Sequence, residues 1–513
     1  MRSLNSIKNI ATSMGIMLMV SILGFVTRKL FLDSLGEEYL GLNGLLTNVI
    51  GMLSLVESGV GVSIVYNLYK PLAEGNTRQV LALVQLYRKI YRYIALGILV
   101  LSIVLFPFLK YLIHGDSQII DLGLVYFIFV ANTLIGYLMA DKLSLVNSDQ
   151  KQYKLAGYNL GYQFAMYAIK ILILTYYPNY IFFLSIEFIC GAIYNLIIRA
   201  KVRRLYPFIK TKETIEVPRE IKQNIVRNVK ALFITTIGGY MVHSTDNILI
   251  SSFIGLSVVG LYSNYTLIIN QVKALANPLM SGVKDSVGNL VSSESSEHQY
   301  NVFKMLFFIN FVVISFISIM LFCLLNPFIT WWLGEQYLFE EWVVAIMCIN
   351  LYVDMIRSSA LTFKVVSGIF VQDRYVAFIT GIVNLIVSLI LVKVIGLAGI
   401  LLGTTIAFLT TNSWNWPRLI YKYNFKKSPV HYYVRYVAYA VLSVIVCLAC
   451  ASFGKYLFTR YGVSLLNIIL IAIADAIFIF MTYWTIFHKT GEYKYAATII
   501  STVLKSRKAN AIS

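Results

Sequence analysis

Residues 24–61 read GFVTRKLFLDSLGEEYLGLNGLLTNVIGMLSLVESGVG, and the spacing of the charges in this stretch decides what kind of chain it belongs to. Arg28 and Lys29 stand inside the end of one apolar segment. Asp33, Glu37 and Glu38 fill a short acidic loop. A second apolar segment follows, rich in Gly, Ser, Thr and Asn, and it carries Glu57. A charge at such depth in hydrocarbon is costly unless it faces protein or water, so Arg28, Lys29 and Glu57 are candidate functional residues.

The surrounding composition agrees. The 513 residues are 58% hydrophobic and 13% charged, with a mean hydropathy of +0.73. Soluble domains carry roughly 25% charged residues. Half that share, with many apolar runs of about 20 residues, predicts an all-α polytopic membrane protein. The runs are evenly apolar, which excludes a barrel of alternating strands. A net charge of +19 would suggest nucleic acid in a soluble protein. Here the Lys and Arg excess sits in loops between apolar segments, so it reports topology and no nucleic-acid partner is expected. All five cysteines fall in apolar segments and read as small buried hydrophobes, with no His cluster to build a metal site. No GxxxxGK[ST] loop occurs, so no nucleotide cofactor is expected; a proton or sodium gradient, membrane potential or substrate gradient would supply the energy. Arg2 and Lys8 precede an apolar run, as in a signal peptide, but its length and the lack of a small-residue cleavage site predict a retained first span.

About fourteen spans are expected, near 10–32, 40–66, 93–113, 119–141, 155–176, 180–199, 231–254, 258–281, 304–325, 341–363, 375–393, 396–418, 434–454 and 463–487. Basic loops alternate with short acidic or neutral ones, which predicts that both termini are cytoplasmic. The longest polar connection, 200–230, is basic and divides the chain into a six-helix lobe (1–199) and a second six-helix lobe (231–420). Two further spans and a basic tail follow (421–513). A repeat supports the division. TRKLFLDSLGEEYLGL (27–42) lies over DNILISSFIGLSVVGL (246–261) without a gap, matching Gly36 to Gly255, Gly41 to Gly260 and Leu42 to Leu261. Parallel repeats of this kind place a substrate path between two pseudo-symmetric lobes.

Helical spacing selects the residues that would face such a path. Thr47, Gly51, Ser54, Ser58 and Gly61 form one stripe, with Glu57 at its edge. Thr235, Gly239 and Asp246 share a side of the seventh span, with His243 adjacent. Thr266, Asn270, Lys273 and Asn277 stack on the eighth. Arg28, Lys29, Glu57, Asp246, Asn270, Lys273 and Asn277 are therefore the substrate-binding candidates. Glu187, Asp354 and Asp475 are isolated intramembrane acids and the ion-coupling candidates; Asp354 and Arg357 stand one turn apart and can pair. A transporter accounts for these charges without a catalytic domain. A membrane glycosyltransferase or polysaccharide polymerase would need a larger external domain than these loops supply. The pair Glu37 and Glu38 reads as ordinary loop asymmetry, so no enzyme is expected.

The segments LGFVTRKLFLDSLGEEYLGLNGL (23–45), VESGVGVSIVYNLYKPLAEGN (56–76) and TDNILISSFIGLSVVGLYSNYTLI (245–268) resemble Wzx-type polysaccharide repeat-unit flippases. These belong to the superfamily that also contains the MATE drug exporters and the lipid II flippase MurJ. The resemblance implies a MATE-like fold and a substrate of undecaprenyl-pyrophosphate-linked oligosaccharide for capsule, O-antigen or exopolysaccharide. Glycosyltransferases and a separate polymerase are the implied partners. It also implies that Arg28 holds the pyrophosphate, since a guanidinium fork donates several hydrogen bonds at once. Where MurJ has an LGFxR-like signature this chain has LGFVTR, shifted by one residue, which favours an oligosaccharide unit over lipid II. A lipid II flippase and an ion-coupled drug exporter are the alternatives.

Overall fold

The computed structural model describes residues 2–114, 121–211, 213–281 and 284–498. Among these, all regular structure is helical. The chain forms two compact units, Met1–Ser263 and Asn264–Ser513.

The first unit opens with α1 (Arg2–Leu35), which turns at Gly36 into α2 (Glu37–Leu53). A tight turn at Ser54–Glu57 and a left-handed Gly59 separate α2 from α3 (Val60–Ala73). The expected stripe from Thr47 to Gly61 is therefore corrected: the backbone breaks in the middle of it, and its two ends face different partners. Gly51 packs on Tyr240, whereas Gly61 approaches Tyr91 and Glu57. Next comes α4 (Thr77–Leu105), whose first turn is capped by Asn76 accepting from the Gln79 N–H at 3.0 Å. α5 (Leu122–Tyr137) and α6 (Ala140–Ser148) are bent by 43° at their junction. α7 (Tyr153–Tyr176) packs on both α1 and α8 (Tyr180–Leu205). α9 (Arg219–His243) packs on α3, and α10 (Asp246–Phe253) packs on α2. The basic connection before α9 is tied down as well. The Gln85 amide donates to the Glu213 carbonyl at 2.6 Å and accepts from the Ile215 N–H at 3.1 Å. α11 (Leu256–Ser281) contains the division between the units.

In the second unit, α12 (Lys284–Ser293) leads to α13 (Ser296–Trp332), the central helix. Around α13 stand α14 (Glu341–Ile356), α15 (Ser358–Val366), α18 (Val430–Tyr461) and α19 (Leu465–Phe487). Asn310, fully buried on α13, donates to the Met355 and Ile356 carbonyls and so satisfies the open end of α14. Phe307, Phe311, Tyr432, Tyr439, Tyr483 and Phe487 interlock α18 and α19 with α13, with Phe311 stacked on Tyr439 at 4.0 Å between centroids.

α16 (Val376–Thr410) is two antiparallel arms joined at Ile395 and Gly396, where the backbone leaves the helical region. Asn384 donates to Thr404 (2.9 Å), Ser388 to the Ile400 carbonyl (3.0 Å), and the Thr380 and Thr411 hydroxyls meet at 2.8 Å. Small and polar residues of this kind hold apolar helices together inside a membrane, where hydrophobicity alone does not drive pairing. α17 (Asn412–Ile420) closes the hairpin.

Among the described residues, eight helices are long and apolar enough to cross a membrane, or nine if the bent α5–α6 pair is one span. The chain is thus a multi-pass membrane protein. One of the eight, the 50-residue stretch Val376–Phe425, contains the whole hairpin and so covers two of the expected segments.

Candidate functional site

The α1–α2 turn and the α10–α11 turn meet inside the first unit, and they meet symmetrically. Gly36 and Gly255 both take positive φ, 85° and 142°, as each chain direction reverses. A Cβ on Gly41 would run into the Leu256 carbonyl, and a Cβ on Gly260 would run into the Glu37 carbonyl. In the register that matches Gly41 to Gly260, Glu37 matches Leu256, so the two contacts are reciprocal. The same register carries Arg28 onto Asn247 and Gly44 onto Ser263. Arg28 Nη1 donates to Ser263 Oγ at 2.9 Å, and Asn247 Nδ2 donates to the Gly44 carbonyl at 3.5 Å. Residue i of one repeat meets j of the other while j meets i, as across a two-fold interface. Closer to the break in α2, the Tyr240 hydroxyl donates to the Asn48 carbonyl.

Arg28 is half-buried and turned onto α11; it does not extend outward along the helix. Among the described residues no carboxylate lies within 4.0 Å of its guanidinium. Lys29, on the next position round the helix, is exposed. Asp246 is buried. Its Oδ2 accepts from the Tyr262 hydroxyl at 3.4 Å, while Oδ1 has no partner. Glu57 ends the turn between α2 and α3 and accepts from the Tyr91 hydroxyl at 3.0 Å. Glu187 is paired with buried Lys170 at 2.7 Å, and that ammonium also lies over the Phe183 ring.

The second unit gathers a different set. Asp354 takes Arg357 on Oδ1 at 2.6 Å and Lys273 on Oδ2 at 3.1 Å, so the one-turn spacing of Asp354 and Arg357 does form the expected pair and Lys273 joins it. The Arg357 guanidinium lies 3.8 Å from the Phe408 ring centroid and 5.0 Å from that of Trp416. Lys364 pairs with Asp373, and Trp416 Nε1 donates to the same carboxylate at 3.0 Å. Asn270 is exposed. The side chains of Asn277, Thr235 and His243 lie outside the described residues. Asp475 is buried between α18 and α19, with the Cys450 thiol beside it and Oδ2 unpartnered. Sequence reasoning passed over Ser263, Tyr262, Tyr91, Lys364, Asp373 and Trp416. Tyr262 and Ser263 directly follow the second repeat segment, 246–261. Lys364 and Asp373 are brought together by the turn after α15, which carries no periodic signal.

No family model matches the chain, and no curated protein matches it. Solved structures share its fold. The lipid II flippase MurJ, in an inward closed conformation, aligns with a TM-score of 0.65 at 15% identity, covering 93% of this chain and 99% of that one. A multidrug resistance MATE family transporter of the MOP superfamily, facing inward, aligns with a TM-score of 0.55 at 12% identity, covering 80% and 99%. The helices thus adopt the fold that these two solved structures share.

Proposed function

We propose that the chain is a flippase that carries a diphosphate-linked oligosaccharide on a polyprenyl lipid across the membrane. The observation that carries this reading is Arg28: a guanidinium held inward by one hydroxyl at 2.9 Å, with no carboxylate to neutralise it among the described residues. A cation drawn even partly out of water without a counter-ion is costly, and a substrate diphosphate supplies one through charge-assisted hydrogen bonds. The MurJ and MATE folds, each built to move a solute across a bilayer, support the transporter class. The six-plus-six division at 200–230 and an inner-membrane location with cytoplasmic termini belong to the same reading, as does alternating access between the repeats. Glycosyltransferases and a polymerase would act before and after it.

Glu57 and Asp246 of the first unit would contact the sugar portion, with Lys29 at its margin. Among the ion-coupling candidates, Glu187 and Asp354 already hold cations, whereas Asp475 is buried with an unpartnered oxygen. Asp475 is therefore the carboxylate best suited to take up a proton.

Reconstituted vesicles with a fluorescent diphosphate-linked oligosaccharide, quenched from outside, test the proposal. Arg28→Ala should slow translocation about ten- to hundredfold, the share of one or two charge-assisted hydrogen bonds. A full rate from that variant overturns the role of Arg28. Drug efflux without lipid-linked sugar transport would assign the chain to the exporters instead.

A further inference from the structure

The face of α4 that carries Gln85, Arg88, Lys89, Arg92 and Tyr93 lines a cavity of about 390 Å³, and its charge is unbalanced. Asp141, beneath it, is buried and divided between two cations: Lys142 at 3.1 Å and Arg88 Nε at 3.1 Å. The linker carboxylate of Glu213, whose backbone carbonyl Gln85 holds, goes to Arg78 at 3.6 Å. Lys89 and Arg92 are exposed and make no hydrogen bond or ion pair among the described residues. Arg88 and Lys142 thus share one carboxylate, and Lys89 and Arg92 beside them have none among the described residues.

The same helix face changes character along its length. Positions three and four apart are neighbours on a helix. After Lys89 and Arg92 comes Tyr93, 64% exposed, and then Leu96, Val100, Ile103 and Val104, all exposed. At about 1.5 Å per residue, Tyr93 to Val104 spans roughly 16 Å. That is about half of a hydrocarbon core roughly 30 Å thick, the depth of one leaflet. Cations, then an amphipathic ring, then one leaflet of apolar surface is the profile of a phospholipid lying along a helix.

We propose that this face is a binding site for an anionic phospholipid. Lys89, Arg92 and the outward nitrogens of Arg88 hold the phosphate, Tyr93 sits at the ester level, and the acyl chains run along Leu96 to Val104. The site lies on a helix distinct from α1, α10 and α11, and it stands whether or not Arg28 binds a diphosphate.

Purified full-length protein, delipidated and titrated with phosphatidylglycerol or phosphatidylcholine, tests the site by native mass spectrometry of retained lipid. The wild type should retain phosphatidylglycerol in preference to phosphatidylcholine. Lys89→Gln/Arg92→Gln should weaken that retention about thirtyfold, from the attraction lost at two surface cations. Lys89→Arg/Arg92→Lys should preserve it. Arg203→Gln/Arg204→Gln removes the same charge from exposed positions elsewhere and should leave retention unchanged. Equal retention of both lipids, or equal loss in the Arg203/Arg204 variant, overturns the proposal. So does displacement of the lipid by millimolar inorganic phosphate, which would make this a site for soluble phosphate.

Discussion

The turn at Gly36 and the turn at Gly255 share a backbone and differ in their side chains. Both reverse at a glycine with positive φ, and both send a glycine five residues later against the other's main chain. At matched positions, however, the first has Thr27 and Arg28 where the second has Asp246 and Asn247. The difference separates two jobs. The glycines make the crossing possible by letting two helices approach within main-chain contact. The side chains at the matched positions then make it unequal, placing on one side a cation with no carboxylate beside it among the described residues and on the other a buried acid held by Tyr262 through one oxygen.

The shared part should be the more fragile. Gly41→Val and Gly260→Val should each destabilise the protein by several kcal/mol, because the added atoms meet a backbone carbonyl that cannot rotate away. Thermal unfolding in detergent should show similar losses for the two, as reciprocal contacts require. A large loss at one glycine and none at the other would break the symmetry. The unequal part should show in transport and not in stability. Asn247→Ala removes one weak neutral hydrogen bond and should slow translocation by no more than about threefold, far less than Arg28→Ala. Equal effects at 28 and 247 in the vesicle assay would mean that the cation has no special role. The smallest change in fold is expected from Asp246→Asn. It relieves a buried carboxylate of charge while keeping its shape, so the unfolding midpoint should stay level or rise by a few degrees. A clear fall would show that Asp246 is paired with a cation.

The glycine pattern of this crossing was legible in the sequence. The ungapped match of 27–42 to 246–261 aligns Gly41 with Gly260 as equivalent positions, because glycine at a helix crossing is a backbone requirement that local sequence records; that the two stretches cross each other comes from the structure alone. The inward turn of Arg28 was not legible. Spacing puts it on a face with Ser21 and Gly24, but its partner, Ser263, is 235 positions away and carries no charge to mark it. The break at Ser54–Gly59 was hidden for another reason: its residues also suit a continuous packing face, so periodicity ran straight through it. In the second unit, the one-turn spacing of Asp354 and Arg357 announced their pair, whereas Lys273 reached it from another helix. The hairpin within α16 was visible as the two apolar segments 375–393 and 396–418, which part at the kink of Ile395 and Gly396.

The reciprocal glycine contacts also limit how mutations there can be repaired. Each glycine faces main-chain atoms, above all a carbonyl oxygen, so no change of side chain at Glu37, Leu256 or the partner glycine can make room for a larger residue. Local second-site suppression, the usual way that packed side chains drift together over generations, is closed to this pair. Relief can come only from a shift of a whole helix, which would carry Arg28 and Asn247 out of their hydrogen bonds as it moved.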